Sequence, residues 1–190
     1  MSDTPYDRDP AKTPSPQFVR AVPDGDTIER DVCRNCGFIA YDNPKIVVGA
    51  VVSAGDRILL CRRAIPPRHG FWTLPAGFME LNETPEDGAR REAMEEANAA
   101  IAIERLLAIY TIPRISQVQL IFRARLESAV SPGPESLDVA LFDWADIPWD
   151  EIAFPSVHWA LGHERALREG TGEAPFANPP GNAGDEVPQR

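Results

Sequence analysis

The apolar residues of this chain fall into short runs separated by turn residues, a pattern typical of mixed α/β proteins. Two such runs, Ile46–Ser53 and Arg57–Arg63, flank Ala54-Gly55-Asp56, and this arrangement predicts a β-hairpin. The other predicted elements are helices at Pro85–Ala97 and Pro155–Arg168 and strands at Ile101–Ile112, Val118–Leu126 and Val139–Trp144. This order predicts an α/β fold with a mixed sheet between helices.

The first predicted helix has start and end signals in the sequence. Thr84 is a suitable N-cap, Pro85 fits the first helical position, and Asp87 stands where a capping box places its acidic residue. Asn98 tolerates the left-handed backbone with which many helices end. We therefore expect a helix over Pro85–Ala97.

Composition divides the 190 residues into four segments. Residues 1–24 and 170–190 are rich in proline and polar residues and are predicted to be disordered; the alternative for the first segment is that it becomes ordered only against a partner. Residues 25–44 contain a cysteine pair. Residues 45–169 are long enough to bury the core of one domain.

Three carboxylates on the first predicted helix, Glu92, Glu95 and Glu96, are spaced i, i+3 and i+4. The spacing places them on one helix face, where like charges repel by about 0.2–0.5 kcal/mol per pair. A cation removes this repulsion, and carboxylate oxygens suit Mg²⁺ or Mn²⁺. The alternative interpretation is a solvated acidic face beside Arg90 and Arg91.

The same carboxylates belong to a longer pattern, GFMELNETPEDGARREAMEEANA, which begins at Gly77. Its order of residues resembles the Nudix box, matching at Gly77, Glu83, Arg91, Glu92, Glu95 and Glu96. Ala93 and Ala99 stand where the box has larger aliphatic residues, and Asn98 replaces its last glycine. The resemblance implies a Nudix α/β/α sandwich that hydrolyses a nucleoside diphosphate derivative.

The resemblance also implies a metal site. Glu92, Glu95 and Glu96, together with the backbone carbonyl of Ala76 or Gly77, are expected to bind Mg²⁺ or Mn²⁺. Bound there, the cation would neutralise charge on the phosphates and acidify a water molecule.

Two further roles are expected near this metal site. Glu83 should pair with Arg91 and hold the loop before the helix in place. The catalytic base is expected among Glu92, Glu95 and Glu135, the last of which lies on the loop SPGPESLD. For Glu135 the alternative is a solvated loop carboxylate.

Candidate substrate-binding residues lie on two segments outside the box. Arg62, Arg63 and Trp72 come before it, and guanidinium groups with an aromatic face suit the phosphates and base of a nucleotide. Arg114 and Gln117 follow it. The alternatives are a core position for Trp72 and an ordinary inter-strand turn around Arg114.

A wider resemblance covers roughly residues 23–168 and includes CGFIAYDNPKIVVGAVV, LLCRRAIPPRHGFWTLPAGFME and IPRISQVQLIFRARL. These segments look like a Nudix group of plant chloroplast and bacterial proteins, which implies hydrolysis of FAD or ADP-ribose to AMP plus FMN or ribose 5-phosphate. Two alternatives remain open. One is a pyrophosphatase for NADH or another dinucleotide, and the other is a module that senses ADP-ribose without cleaving it.

The cysteines bear on a possible zinc site. Cys33 and Cys36 resemble the second half of an N-terminal zinc ribbon found in some Nudix proteins, but no cysteine precedes them. Because two thiolates do not complete a four-coordinate structural site, we expect a ribbon remnant without zinc. Cys61 is expected to be a buried apolar residue.

Charge and hydropathy restrict partners and location. The formal net charge of −10 argues against binding to nucleic acid or an anionic membrane. The sequence shows neither a membrane-spanning apolar run nor an export or transit signal, so a cytoplasmic protein is expected. The expected partner is a small nucleotide substrate, and the resemblance also allows a homodimer.

Overall fold

The structure is a computed structural model that describes residues 15–184 of the chain. The chain divides into two compact units, Met1–Asn43 and Pro44–Arg190. Neither helix in the described residues is long and apolar enough to cross a bilayer.

The described part of the first unit is a three-stranded antiparallel sheet made of β1 (Phe18–Ala21), β2 (Arg30–Cys33) and β3 (Ile39–Ala40). The prediction of disorder up to residue 24 is wrong for β1, because its backbone pairs with β2. Composition alone does not reveal such a pairing. Residues 1–14 of the predicted arm lie outside the described residues.

The second unit contains a mixed seven-stranded sheet. Its strands are β4 (Lys45–Ala54), β5 (Arg57–Arg63), β6 (Trp72–Thr73), β7 (Ala76–Phe78), β8 (Ile101–Ile112), β9 (Gln117–Leu126) and β10 (Ser136–Phe142). The main order is β10-β5-β4-β9-β8, with β6 on β5 and β7 on β4. Among the strands of the described residues, β4 and β9 are the one parallel pair. The strand order places β4 at the centre of the sheet.

Both predicted helices are confirmed with their bounds, α1 at Pro85–Ala97 and α2 at Pro155–Arg168. Short 3₁₀ turns lie at Pro113–Ile115 and Trp149–Glu151. The strand predicted at Val139–Trp144 instead begins at Ser136 and ends at Phe142, since its pairing with β5 starts at Ser136 and continues past a bulge.

The two helices pack on opposite faces of the sheet. Successive residues of a strand point to opposite faces, so Ala50 and Val52 of β4 pack in the core cluster that contains α1, whereas Val51 packs with α2. The α1 side is lined by small residues, including the fully buried Ala89 and Ala93. The predicted α/β/α sandwich with a mixed sheet is therefore confirmed.

The chain after α2 does not match the predicted disordered tail. Residues 171–184 form no helix or named strand, but Phe176 donates from its N–H to Leu107 O and accepts at its carbonyl from Ile109 N. These bonds hold the segment on the edge strand β8, which corrects the prediction for residues 171–184. Residues 185–190 lie outside the described residues.

Candidate active site

Helix α1 is fixed at both ends by the residues expected to cap it. The hydroxyl oxygen of Thr84 accepts from Asp87 N at 3.2 Å and donates to Asp87 Oδ2 at 2.8 Å. At the other end Asn98 has φ 47°, and its N–H bonds the carbonyl of Met94 at 2.9 Å. These caps fix where α1 begins and ends.

Arg91 of α1 bonds two carboxylates of the same helix and one that precedes it. Its guanidinium donates to Glu83 at 2.9 and 3.1 Å, to Glu92 at 2.7 Å and to Glu95 at 2.9 Å. It also donates to the carbonyl of Phe78, the last residue of β7, at 3.0 Å. The Arg91 hydrogen bond is the main reason that the pKa of Glu83 is lowered. The Glu83–Arg91 pairing expected from the sequence is present, and it ties the loop to α1.

Two of the three helix carboxylates are buried. Glu92 and Glu96 are 8% and 7% exposed, and Oε2 of Glu96 accepts from Ala76 N at 3.1 Å. Burial, reinforced by the charges of Glu92 and Glu135, raises the pKa of Glu96 to about 7. Burial likewise raises the pKa of Glu92. Folding has therefore gathered carboxylates where their negative charge is poorly solvated.

Gly77 allows the loop to approach these carboxylates. A Cβ at this position would overlap the carboxylate of Glu92. Gly77 also pairs with Val48 of the central strand β4, which fixes the β7 backbone on that side. A side chain at Gly77 would therefore displace the Glu92 carboxylate or the β7 backbone.

A second loop brings Glu135 to the same place. Gly133 N donates to Glu96 O at 3.0 Å, and a Cβ at Gly133 would collide with the carbonyl of Glu95. Asn98 Nδ2 donates to Ser131 O at 3.1 Å, so the loop packs on the C-terminal end of α1. Glu135 lines the same cavity as the α1 carboxylates and raises the pKa of Glu92 and Glu96.

The carboxylates open into a cavity of about 970 Å³. Of the residues predicted to bind substrate, Arg63, Arg114 and Gln117 line it. Phe154 lines it too, with the guanidinium of Arg63 5.2 Å from the centre of its ring. Sequence analysis missed Phe154, because nothing in the segment IAFPSV distinguishes it from a core residue.

Two predicted substrate-binding residues lie elsewhere. Trp72 is 7% exposed and packs edge-to-face on Phe142, with the ring centres 4.9 Å apart. Arg62 donates through Nε to Gly70 O at 2.9 Å and does not line the cavity. Arg62 and Trp72 pair with each other across β5 and β6 and are part of the sheet. Their predicted role in lining the substrate site is therefore corrected.

The donor set at α1 fits a hard divalent cation. Glu92, Glu95 and Glu96 all line the cavity, two of them are buried, and oxygen-rich anionic sites of this kind suit Mg²⁺ or Mn²⁺. In the described part of the chain no three acidic, histidine or cysteine side chains already converge on one point. At Glu92 and Glu95 the carboxylate oxygens are turned towards Arg91.

A four-coordinate zinc site does not fit the N-terminal unit. Cys33 is buried and Cys36 is exposed, and N–H groups of Asn35 and Cys36 lower the pKa of the Cys33 thiol. The third cysteine of the chain, Cys61, is buried in β5 of the other unit. Residues 15–43 thus provide two thiols and no histidine, short of the four ligands of a structural site.

Comparisons with known proteins agree with this architecture. A family model described as the NUDIX domain matches residues 43–160, and one described as Nudix N-terminal, a zinc-ribbon model, matches residues 16–42. The structure of a NUDIX hydrolase from Nitrosomonas europaea superposes with a TM-score of 0.81 and 44% identity, covering 85% of this chain and 93% of that one.

Two curated relatives carry names that bear on function. An ADP-ribose pyrophosphatase from Methanocaldococcus jannaschii is 26% identical over 134 residues, which are 68% of this chain and 74% of that protein. The NAD-capped RNA hydrolase NudC from Photorhabdus laumondii is 34% identical over 116 residues, which are 60% of this chain and 43% of that protein.

The chain spans about half or less of the length of several curated relatives. The NUDIX family model matches more than half of this chain. The matched region contains α1, its carboxylates and the loop that delivers Glu135. The chain therefore belongs to the Nudix family.

Proposed function

We propose that this protein cleaves the diphosphate of ADP-ribose or FAD with Mg²⁺ or Mn²⁺, releasing AMP together with ribose 5-phosphate or FMN. The observation that carries the proposal is the set of carboxylates, Glu92, Glu95, Glu96 and Glu135, on one wall of a cavity of about 970 Å³. Arg63 lines the same cavity and suits the phosphates of such a substrate, and Arg114 and Gln117 line it as further candidate substrate contacts.

Each acidic residue has a proposed role. Glu92, Glu95 and Glu96, with the carbonyl of Ala76 or Gly77, would hold a cation that would neutralise charge at the diphosphate and acidify a water molecule. To bind it, Glu92 and Glu95 would have to exchange their hydrogen bonds to Arg91 for the cation. Arg91 keeps Glu83 and the loop in place throughout.

The reaction needs a base and a route for the proton. A carboxylate of Glu92, Glu95 or Glu135 accepts the proton of the attacking water. The water oxygen forms a bond to one phosphorus as the bridging P–O bond breaks, and the leaving phosphate takes the electron pair. Arg63 and Arg114 offset the negative charge of the substrate, which the net charge of the protein otherwise repels.

The choice of substrate rests on two kinds of support. The Methanocaldococcus relative is named as an ADP-ribose pyrophosphatase, and the segments quoted from the sequence resemble Nudix proteins that act on FAD and ADP-ribose. The NudC relative favours a second candidate, the hydrolysis of NADH or another dinucleotide. We further propose a cytoplasmic enzyme, monomeric or homodimeric, that acts on small nucleotides.

The test is chromatographic product analysis after incubation with Mg²⁺ and, separately, ADP-ribose, FAD, NADH and 8-oxo-dGTP. The proposal expects AMP from ADP-ribose or FAD with a higher kcat/KM than from NADH. A preference for NADH would move the second candidate ahead. Turnover of 8-oxo-dGTP alone would contradict the proposed substrate class.

A further inference from the structure

The segment after α2, residues 171–184, is fastened along the edge strand β8. Besides the backbone bonds of Phe176 to β8, the ring of Phe176 stacks on His163 of α2 with 4.2 Å between centres and 3° between planes. We call residues 171–184 the C-terminal segment. It is anchored to both the sheet and a helix.

Asn178 provides a second anchor. Its Oδ1 accepts from Thr111 N at 2.9 Å, and its Nδ2 donates to Thr111 O at 2.8 Å and to Asn182 O at 2.9 Å. One side chain thus satisfies both backbone groups of a residue on an exposed sheet edge and also fixes the turn that follows.

The anchored segment ends at the cavity. Gly184 lines the cavity, has φ +77° and lies so close to Ile112 that a Cβ would collide with its Cδ1. Ile112 lines the same cavity at the end of β8. Gly184 is therefore part of the cavity wall.

Gly184 lies at the end of the cavity farther from Glu96. Ala76, which donates to Glu96, pairs with Gly49, and Gly49 pairs with Ile121 of β9. Ile112 pairs with Gln117, four residues along β9 from Ile121. At about 3.3 Å per residue, the Glu96 end and the Ile112 end of the cavity are about 13 Å apart along β9.

We propose that the C-terminal segment contributes to substrate affinity, because Gly184 contacts the part of the nucleotide bound at the end of the cavity farther from Glu96. This inference rests on the proposed function for the class of substrate. We further propose that the contact is made equally in the bound substrate and in the transition state. Changes there should then alter KM and leave kcat nearly constant.

The first test compares Gly184→Asn with Gly181→Asn. Asparagine tolerates positive φ, and Gly181 has a similar φ of +80° but nothing within 4 Å of its Cβ, so the control carries the same backbone cost without the contact. With ADP-ribose we expect Gly184→Asn to change KM by about fivefold or more, equivalent to about 1 kcal/mol, with kcat within about twofold. The control should match the unaltered enzyme in both constants.

The second test releases the segment without adding atoms. Asn178→Ala removes the bonds to Thr111, whereas Asn182→Ala keeps the Asn182 carbonyl that Asn178 uses. We expect faster hydrogen exchange at the Thr111 amide and a raised KM for Asn178→Ala alone. If Thr111 exchanges faster but KM is unchanged, or if Gly184→Asn and Gly181→Asn have the same KM, the inference is wrong. Failure of the proposed function would look different, since the unaltered enzyme would then form no AMP from ADP-ribose or FAD.

Discussion

At the scale of single residues, the site combines poorly solvated acids with one arginine that binds several of them. Arg91 bonds Glu83, Glu92 and Glu95, and it also bonds the carbonyl of Phe78. Glu96 is held instead by the backbone N–H of Ala76. Arg91 therefore positions Glu92 and Glu95, whereas the backbone of Ala76 positions Glu96. The carboxylate set is in place only when both α1 and the segment before it are in their native positions.

Gly77 gives the sharpest test of that placement. In Gly77→Ala the new Cβ overlaps the Glu92 carboxylate, so the carboxylate or the loop must move. Because displacements of about 1 Å at such sites cost about a hundredfold in rate, we expect a loss of that size in kcat/KM for ADP-ribose. Steady-state kinetics measure it, and thermal unfolding shows that the variant is folded.

Gly162→Ala is the matched control. Gly162 lies in α2 with nothing within 4 Å of its Cβ, so the same added methyl group should leave the kinetics unchanged. A Gly77→Ala enzyme as active as the Gly162→Ala enzyme would show that the approach of the loop to Glu92 is unimportant.

At the scale of elements, prediction from sequence succeeded where the signal is local. The bounds of α1 follow from Thr84, Pro85 and Asn98, and the bounds of α2 and β5 follow from uninterrupted local patterns. It failed where an element depends on a partner distant in sequence. Strand β1 is stabilised by its pairing with β2, although the composition of residues 1–24 as a whole favours disorder.

The site shows the same division. The box carboxylates follow from spacing along one helix, but the close approach of Gly133 to Glu95 brings together residues 38 positions apart. Gly184 reaches Ile112 over an even longer separation. No spacing rule in the sequence encodes either contact.

His163 joins three elements, and its titration gives a prediction for stability. It is hydrogen bonded through Nδ1 to the Tyr110 hydroxyl on β8 at 2.7 Å and stacks on Phe176. Burial lowers the pKa of His163 below its ordinary value. Its stabilising contribution is therefore complete well above about pH 6.5, where His163 is neutral in both the folded and the unfolded chain, and is lost as the pH falls from about 6.5 towards the lower folded pKa.

The measurement is urea unfolding of the unaltered protein and of His163→Gln, a side chain that hydrogen bonds but does not titrate. We expect the difference in unfolding free energy, unaltered minus variant, to stay constant between about pH 7.5 and pH 8.5 and to decrease below about pH 6.5. A difference that stays constant down to about pH 5 would contradict the assignment, since other titrating groups cancel in the comparison.

At the scale of the whole molecule, charge opposes the binding of the proposed anionic substrate. The formal net charge is −10, and Glu92, Glu95, Glu96 and Glu135 concentrate part of that charge at the cavity. Under the proposed function, local arginines and a cation must supply the attraction that the rest of the surface opposes. The two helices pack on opposite faces of the sheet, and loops and the C-terminal segment also line the cavity.

We propose that the α1 carboxylates hold the cation needed for hydrolysis of the diphosphate. The most direct measurement is AMP release from ADP-ribose in Mg²⁺ by Glu96→Gln, compared with Glu86→Gln, which changes an exposed acid on the first turn of the same helix. We expect AMP release to fall to background in Glu96→Gln and to be normal in Glu86→Gln, with both proteins folded. Normal AMP release by Glu96→Gln would contradict the proposal.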